Sequence, residues 1–282
     1  MKGKLFVCAT PIGNLKDITL RCLETLKNVD LIAAEDTRHT IKLLNHYEIK
    51  TPLESYHEHN KDSKGKKLIN LLLDGKNIAL VSDAGMPGIC DPGEDLIKLC
   101  YENEIPVVVL PGATASITAL ILSGIKTRSY CFEGFLPTNK KAKKEVIERL
   151  KNDTRTYIIY EAPHHLLQTL KDIFEQIGER NISIVKELTK KHETVFRTNL
   201  SNAIQYFESN EPKGEYVLVL EGADEKELIN KQKEEINNIS IEEHFNKYIS
   251  LGIETKEAMK KVAKERGLSK REVYNEIKIK NN

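Results

Sequence analysis

The chain has 282 residues, 40% hydrophobic and 30% charged, with 43 Lys and Arg against 42 Asp and Glu. That length buries one large or two small cores, and the balanced charge excludes a histone-like or polyanionic protein while leaving room for a local basic patch. No apolar run approaches the roughly 18 residues of a membrane span, and the start MKGKLFVCAT meets a polar turn before it becomes a signal core. Five cysteines with no CxxC pair fit reduced thiols, not a disulfide frame or a zinc site. The expectation is a soluble cytoplasmic globular protein with no membrane contact and no metal.

In chain order, residues 5–9 read as a strand, 18–26 as a helix with Leu20, Leu23 and Leu26 on one side, and 31–34 as a second strand. A helix runs through Leu43 and Leu44. The polar stretch 61–67 leads into a helix over 68–73. Residues 77–81 and 106–110 are buried-looking strands on either side of a helix at 95–101. Continuous apolar strands separated by helices indicate a mostly parallel sheet covered on both faces.

From Ser129 the same grammar repeats, without sequence similarity between the halves. Strands are expected over 130–132, 157–160, 182–185 and 216–220, and helices over 140–150, 165–177 and 200–207. After Gly222 the composition shifts to Lys, Glu and Asn without Pro. Residues 224–239 carry too few apolar side chains for a core and read as a solvated helix or linker. From Ile241 two or three short helices follow, with Gly252 and Gly267 at helix ends and Ser269 as an N-cap. A helix, a Gly turn and a Lys- and Arg-rich helix suggest a helix-turn-helix; a small helical appendage is the plainer alternative. The division expected is 1–124, an α/β domain with a mostly parallel sheet; 125–222, a mixed α/β domain; and 223–282, a basic helical extension.

The informative residues cluster just after expected strands, where parallel sheets open their ligand crevice. Four loops are in phase: 10–17, 35–40, 82–93 and 111–116. In the third, Gly lets the backbone approach a ligand and Pro fixes the loop shape. In the fourth, small residues at a helix start leave backbone N–H groups free. Neither GxGxxG nor GxxxxGK[ST] occurs, so no dinucleotide fingerprint or P-loop is supported. His57-Glu58-His59 and His164-His165 lack partners at metal-ligand spacing, and no GxSxG elbow or Cys–His pair favours covalent hydrolysis.

The segments TPIGNLKDIT, AEDTRHT, SDAGMPGICDPG, PGATASITALILSG, FEGFLP, YEAPHH and KELTKKHE, in this order and spacing, resemble the ribosomal RNA small subunit methyltransferase I family of the tetrapyrrole methylase superfamily. The resemblance spans nearly all of residues 4–222. It implies two α/β domains of the class III methyltransferase fold binding S-adenosyl-L-methionine in the cleft between them, homodimer formation, and 2′-O-methylation of a cytidine (cytidine 1402) in the decoding region of bacterial 16S rRNA within the small subunit. Carried over residue by residue, Pro11, Ile12 and Gly13, then Ser82, Asp83, Ala84 and Met86, then Thr114 and Ala115 would border the cofactor. Glu161 and Leu188 would close over its adenine from the second domain, by a looser match.

Methyl transfer to a ribose hydroxyl needs the 2′-oxygen positioned and its proton removed. Asp36 or Glu35 is a candidate base, with Lys186 and Glu187 as an equivalent pair from the second domain, and the choice between them stays open. Arg38 and His39 are placed to meet RNA phosphate, with Lys140, Lys141, Lys190 and Lys191 and the neighbouring Lys143, Lys144, Arg149 and Lys151 as a basic track. The alternatives are a methyltransferase of the same fold acting on a tetrapyrrole or other small molecule, a nucleotide-dependent oxidoreductase, and a non-catalytic RNA-binding protein. The basic segment, the missing GxGxxG and the intact loop chemistry argue against each in turn.

Overall fold

Strands β1 (Leu5–Cys8), β2 (Leu31–Ala34), β3 (Leu53–Ser55), β4 (Ile78–Val81) and β5 (Val107–Leu110) form an all-parallel sheet in the order β3-β2-β4-β1-β5. They are seen in a computed structural model that describes residues 1–279. Leu5, Val7, Ile78 and Leu80 point to one face, against Leu68 and Leu72 of α3 (Lys61–Leu73) and Leu96 and Cys100 of α4 (Gly93–Glu102). Cys8, Ile32, Ala79 and Val81 point to the other, against Cys22 and Leu26 of α1 (Leu20–Asn28) and Leu44 of α2 (Thr37–His46). With both faces covered, successive strand residues are all apolar, and each fully buried Leu, Ile or Val contributes roughly 1.5–3 kcal/mol.

The winding also fixes the crevice. From β1 the chain crosses to β2 on one side, whereas from β4 it crosses to β5 on the other. Right-handed crossovers then put α1 and α2 on one face and α3 and α4 on the opposite one, as the two clusters record. The adjacent strands β1 and β4 therefore send their loops apart, and a cleft opens between them at their carboxyl ends.

Two edge strands, β3 and β9 (Thr194–Asn199), are not legible as apolar runs, because an edge strand is only partly covered. Helix α3 begins at Lys61, seven residues before the sequence-based start. Its polar first half is helical because Lys64 and Lys67 bond Glu54 of β3, the latter at 2.7 and 2.9 Å, while Gly65 packs below Leu99.

The second sheet runs β6 (Tyr130–Phe135), β7 (Thr156–Glu161), β10 (Tyr216–Leu220), β8 (Asn181–Lys186), β9, and is mixed: β6 and β7 are parallel and the other pairs antiparallel. Helices α6 (Lys140–Leu150), α7 (Pro163–Ile177) and α8 (Leu200–Ser209) cover one face through Ile147, Leu170, Ile173 and Phe207. The connecting helix α5 (Ala115–Ser123) covers the other, its Ala119 and Leu120 packing with Ile158, Val185, Val217 and Val219. Arg197 of β9 ties down the end of α5, its guanidinium donating to the carbonyls of Leu122 and Ser123, the second at 3.1 Å.

Residues 1–151 with 155–222 make one compact unit that contains both sheets; residues 152–154 with 223–282 make another. In the second, α9 (Glu225–Asn238) is followed by α10 (Ile241–Ser250), α11 (Thr255–Arg266) and α12 (Lys270–Ile279). Phe245, Ala258, Val262 and Val273 form its core. Ser240 and Glu243 close a capping box, and Ser269 with Glu272 make the equivalent pair of bonds before α12. Gly252 and Gly267 take φ +78° and +68° at the ends of α10 and α11. Residues 280–282 of the expected extension lie outside the described residues. No helix among the described residues is long and apolar enough to cross a membrane.

Candidate active site

The loops after β1 and β4 are stitched to each other at the mouth of the crevice. Thr10 N–H donates to the Gly85 carbonyl at 2.8 Å and Gly85 N–H returns a bond at 3.1 Å, so two loops from adjacent strands form a short ladder. The buried Thr10 hydroxyl adds a bond to the Ser82 carbonyl at 3.2 Å. Gly85 holds φ +80°, where a side chain would be strained and would press on Ile12. Asp83 reaches sideways to the loop after β2, its carboxylate accepting the Asp36 N–H at 3.0 Å. Asp91 accepts the Gly88 and Gly93 amides at 2.8 Å each and so closes the glycine-rich loop on itself. Burial nevertheless raises the Asp91 pKa.

The second sheet meets this cluster at three points. Gly13 lies against the turn between β8 and β9, where a Cβ would sit 2.6 Å from the Leu188 carbonyl and 2.5 Å from Thr189 Oγ1. In that turn Glu187 and Thr189 have φ +53° and +63°, strained for residues other than glycine. At a second point Tyr160 comes beside Ser116 in the first turn of α5. At a third, a Cβ on Gly134 of β6 would lie 2.7 Å from Cys90 Sγ. Loops from one sheet are thereby ringed by the β8–β9 turn, β7 and the end of β6.

The acidic candidates differ in their electrostatics. Glu35 is half-buried, and desolvation together with the nearby Asp83 charge raises its pKa. Asp36 caps α2 and is gripped by Arg38: Oδ1 accepts the Arg38 backbone N–H at 2.8 Å, and Oδ2 accepts Nη2 at 2.7 Å. The Arg38 bonds hold its carboxyl at about 2. Glu187 accepts the Glu215 N–H at 2.9 Å and Lys190 Nζ at 3.1 Å, which lower its pKa, the backbone bond most. Lys186 ends β8 beside it.

Among the sequence-derived cofactor residues, Pro11, Ile12, Gly13, Ser82, Asp83, Ala84, Thr114, Ala115 and Leu188 belong to the loop cluster or its facing turn. Two do not face it. Met86 packs into the core beneath α3 and α4. Glu161 is on the far side of its strand: Tyr160 packs toward α5, and strand alternation sends Glu161 to the α6–α7 face, where it accepts the Thr169 hydroxyl and the Ala162 N–H. The residue of YEAPHH that reaches α5 is Tyr160, a parity that the strand pattern alone contains. Lys190 is held by Glu187 and by Glu215 at 2.8 Å, so its ammonium is not free for phosphate. Lys140, Lys141, Lys191 and His39 are exposed, and Arg38 is exposed but paired with Asp36. The strained Thr189 leaves no trace in the sequence.

These residues suit an adenosyl ligand carrying an amino acid. Thr114 leaves the first turn of α5 without a side-chain cap, so its backbone N–H groups remain available donors. Ala84, Gly85, Gly112, Ala113 and Ala115 leave room for close approach. Thr189 Oγ1 is buried without a partner beside Gly13. The model of the family described as Tetrapyrrole (Corrin/Porphyrin) Methylases matches residues 4–204. A protein of Halalkalibacterium halodurans named ribosomal RNA small subunit methyltransferase I is 49% identical over 276 residues, 97% of this chain and 94% of the relative. One of the same name from Bacillus subtilis is 49% identical over 278 residues, 99% and 95%. Among solved structures, a uroporphyrin-III C-methyltransferase of Thermus thermophilus complexed with S-adenosylhomocysteine superposes with TM-score 0.56 at 13% identity, over 78% of this chain and 97% of the other, a likeness of fold. Glycine-poor in its first loop yet glycine-rich after β4, and matched along nearly its whole length, the chain belongs to the tetrapyrrole methylase family and is an S-adenosylmethionine-dependent methyltransferase.

Proposed function

We propose that the chain methylates the ribose 2′-oxygen of a cytidine (cytidine 1402) in the decoding region of 16S rRNA, within the small ribosomal subunit in the cytoplasm. The observation that carries this reading is the 49% identity, along nearly the full chain, to two relatives named for the small-subunit ribosomal RNA. The specific nucleotide and atom rest on the motif resemblance. In this reading residues 1–124 hold the cofactor and 125–222 close over it, while 223–282 are a helical extension.

S-adenosylmethionine, when bound, supplies an electrophilic methyl group on a sulfonium. Pro11, Ile12, Gly13, Ser82, Asp83, Ala84, Thr114, Ala115 and Leu188 would hold it, with Thr189 and Tyr160 added from the structure. Of the three candidate carboxylates, Glu35, Asp36 and Glu187, the electrostatic surroundings favour Glu35. A general base works best with a pKa moved toward the working pH, and burial beside Asp83 moves Glu35 in that direction. Asp36 and Glu187 are instead stabilised as anions by their hydrogen bonds. Asp83 keeps the Glu35–Asp36 loop fixed relative to the β4 loop. Exposed Lys140, Lys141 and Lys191 would meet phosphates. A homodimer accords with the edge strand β5 and helix α5, which expose Val109, Ile117 and Ile121.

The test uses the purified protein, labelled S-adenosylmethionine and small subunits from cells lacking the gene, with label mapped by nuclease digestion and mass spectrometry. A single 2′-O-methylcytidine in the decoding region is expected. Cofactor binding without RNA labelling would overturn the substrate and leave a small-molecule methyltransferase.

A further inference from the structure

In the aromatic column at the end of β6, Phe132 and Phe135 have no function in the scheme above. Phe132 and Tyr160 pack against the α5-side core, and Phe135 stands on Tyr160 with ring centroids 5.6 Å apart at 66°, as Phe132 does at 5.0 Å and 69°. Tyr160 lies beside Ser116 at the start of α5, and the Phe135 backbone lies beside the Cys90 sulfur of the β4 loop. The column thus rises from the cofactor loops, is flanked at both sides, and ends in a phenyl ring that is 58% exposed. Core packing does not require that ring: the next residue, Leu136, already turns into the opposite core.

The surroundings specify the partner's chemistry. Immediately after Phe135, α6 carries Lys140, Lys141, Lys143 and Lys144. Lys143 is held by Asp172 at 2.7 Å, whereas Lys140, Lys141 and Lys144 pair with no acid among the described residues. An exposed ring next to unpaired ammonium groups is the combination that takes a stacked base and its phosphates. Sequence-specific recognition of RNA favours nucleotides splayed out of the stack, and a base so displaced needs another surface to stack on.

We propose that Phe135, braced by Tyr160, is the stacking platform for the base of the nucleotide being methylated, and that the exposed ammonium groups of Lys140, Lys141 and Lys144 take the adjoining backbone phosphate. This subsite rests on the RNA reading of the site. It is tested with full-length Phe135→Ala, Phe135→Leu and Phe135→Trp on unmodified small subunits, alongside cofactor affinity by calorimetry and mass by light scattering. Stacking acts on bound and reacting RNA alike, so Phe135→Ala raises KM for the subunit about 5- to 150-fold with kcat and cofactor affinity kept. Phe135→Trp restores KM, and Phe135→Leu, apolar but without a π-face, does not.

An unchanged KM in Phe135→Ala, or full recovery by Phe135→Leu, overturns the platform while the wild-type labelling leaves the RNA reading standing. A change of mass in Phe135→Ala would assign the ring to a contact between subunits instead. If Phe135→Ala does not fold, the Leu and Trp variants decide between the same outcomes. Failure of the wild type to label any RNA while it binds cofactor removes the RNA reading, and the platform with it.

Discussion

Gly13→Ala examines the join between the first loop and the β8–β9 turn. A Cβ there would lie 2.5 Å from Thr189 Oγ1, 2.6 Å from the Leu188 carbonyl oxygen and 2.7 Å from Lys190 Cγ. The Lys190 stem can swing aside, but the carbonyl moves only with a turn whose Glu187 and Thr189 already hold positive φ. Ordinary contact begins near 3.4 Å, so the gap to the carbonyl must widen by about 0.8 Å, from 2.6 to 3.4 Å. Overpacking of this kind costs about 1–3 kcal/mol, a fall in Tm of roughly 2–12 °C for a unit of this size. Because the displaced turn faces the cofactor loops, cofactor affinity falls, and a shift approaching 1 Å lowers the methyl-transfer rate by up to about 100-fold.

The assay is thermal unfolding with and without S-adenosylmethionine, together with single-turnover transfer. Gly65→Ala is the control: its Cβ would meet the end of the Leu99 side chain at 3.1 Å, which can yield. The helix gains roughly 0.8–1 kcal/mol of propensity there, so Tm stays level or rises. If Gly13→Ala matches wild type in Tm, affinity and rate, the β8–β9 turn is not a wall of the site.

Glu35→Gln is expected to lower the methyl-transfer rate by about 10²- to 10⁴-fold with cofactor affinity retained. In wild type the single-turnover rate rises with pH through a limb above the ordinary carboxylate range, since burial raises the Glu35 pKa. Asp36→Asn leaves that limb in place and lowers Tm through the weakened start of α2; a limb that vanishes in Asp36→Asn but persists in Glu35→Gln would reverse the assignment. Arg197→Ala removes the donor to the Leu122 and Ser123 carbonyls at the end of α5. It should cost about 1 kcal/mol, or roughly 2–4 °C of Tm by calorimetry, with Arg197→Lys in between; no change would mean that these bonds are exchanged for water without loss. His244 is buried between Glu265 at 3.0 Å and Arg266, and desolvation depresses its pKa despite Glu265. A depressed histidine favours the folded state above its unfolded pKa of about 6.5, and that contribution is lost as pH falls below it. Hydrogen exchange of α10 and α11 amides in the full chain should therefore quicken between pH 7.5 and 5.5, beyond the intrinsic change, and the effect should disappear in His244→Leu.

Much of the architecture follows from local rules. Strands β1, β2, β4 and β10 are legible because central strands covered on both faces must be continuously apolar, and the edge strand β5 is legible because its Val-Val-Val-Leu run is apolar throughout. The cofactor loops are legible because glycine, proline and small residues follow those strands in phase, and Ser269 and Gly267 mark the ends of the tail helices because caps are chemically specific. Beyond this, contact across the chain decides. Lys64 and Lys67 look like a lead-in until Glu54, some ten residues earlier, shows why that stretch is helical. Glu35 and Asp36 are adjacent carboxylates, and only the Arg38 fork on one and burial beside Asp83 on the other separate their acidities. Strand parity puts Tyr160, and not the expected Glu161, on the α5 side, and the turn at Thr189 becomes a wall because Gly13, 176 positions away, comes up against it. Sequence determines propensity, burial pattern and turn chemistry, which act over a few residues; the acidity of a carboxylate, the strain of a turn and the face a side chain presents depend on neighbours that only the folded chain brings within a few ångströms.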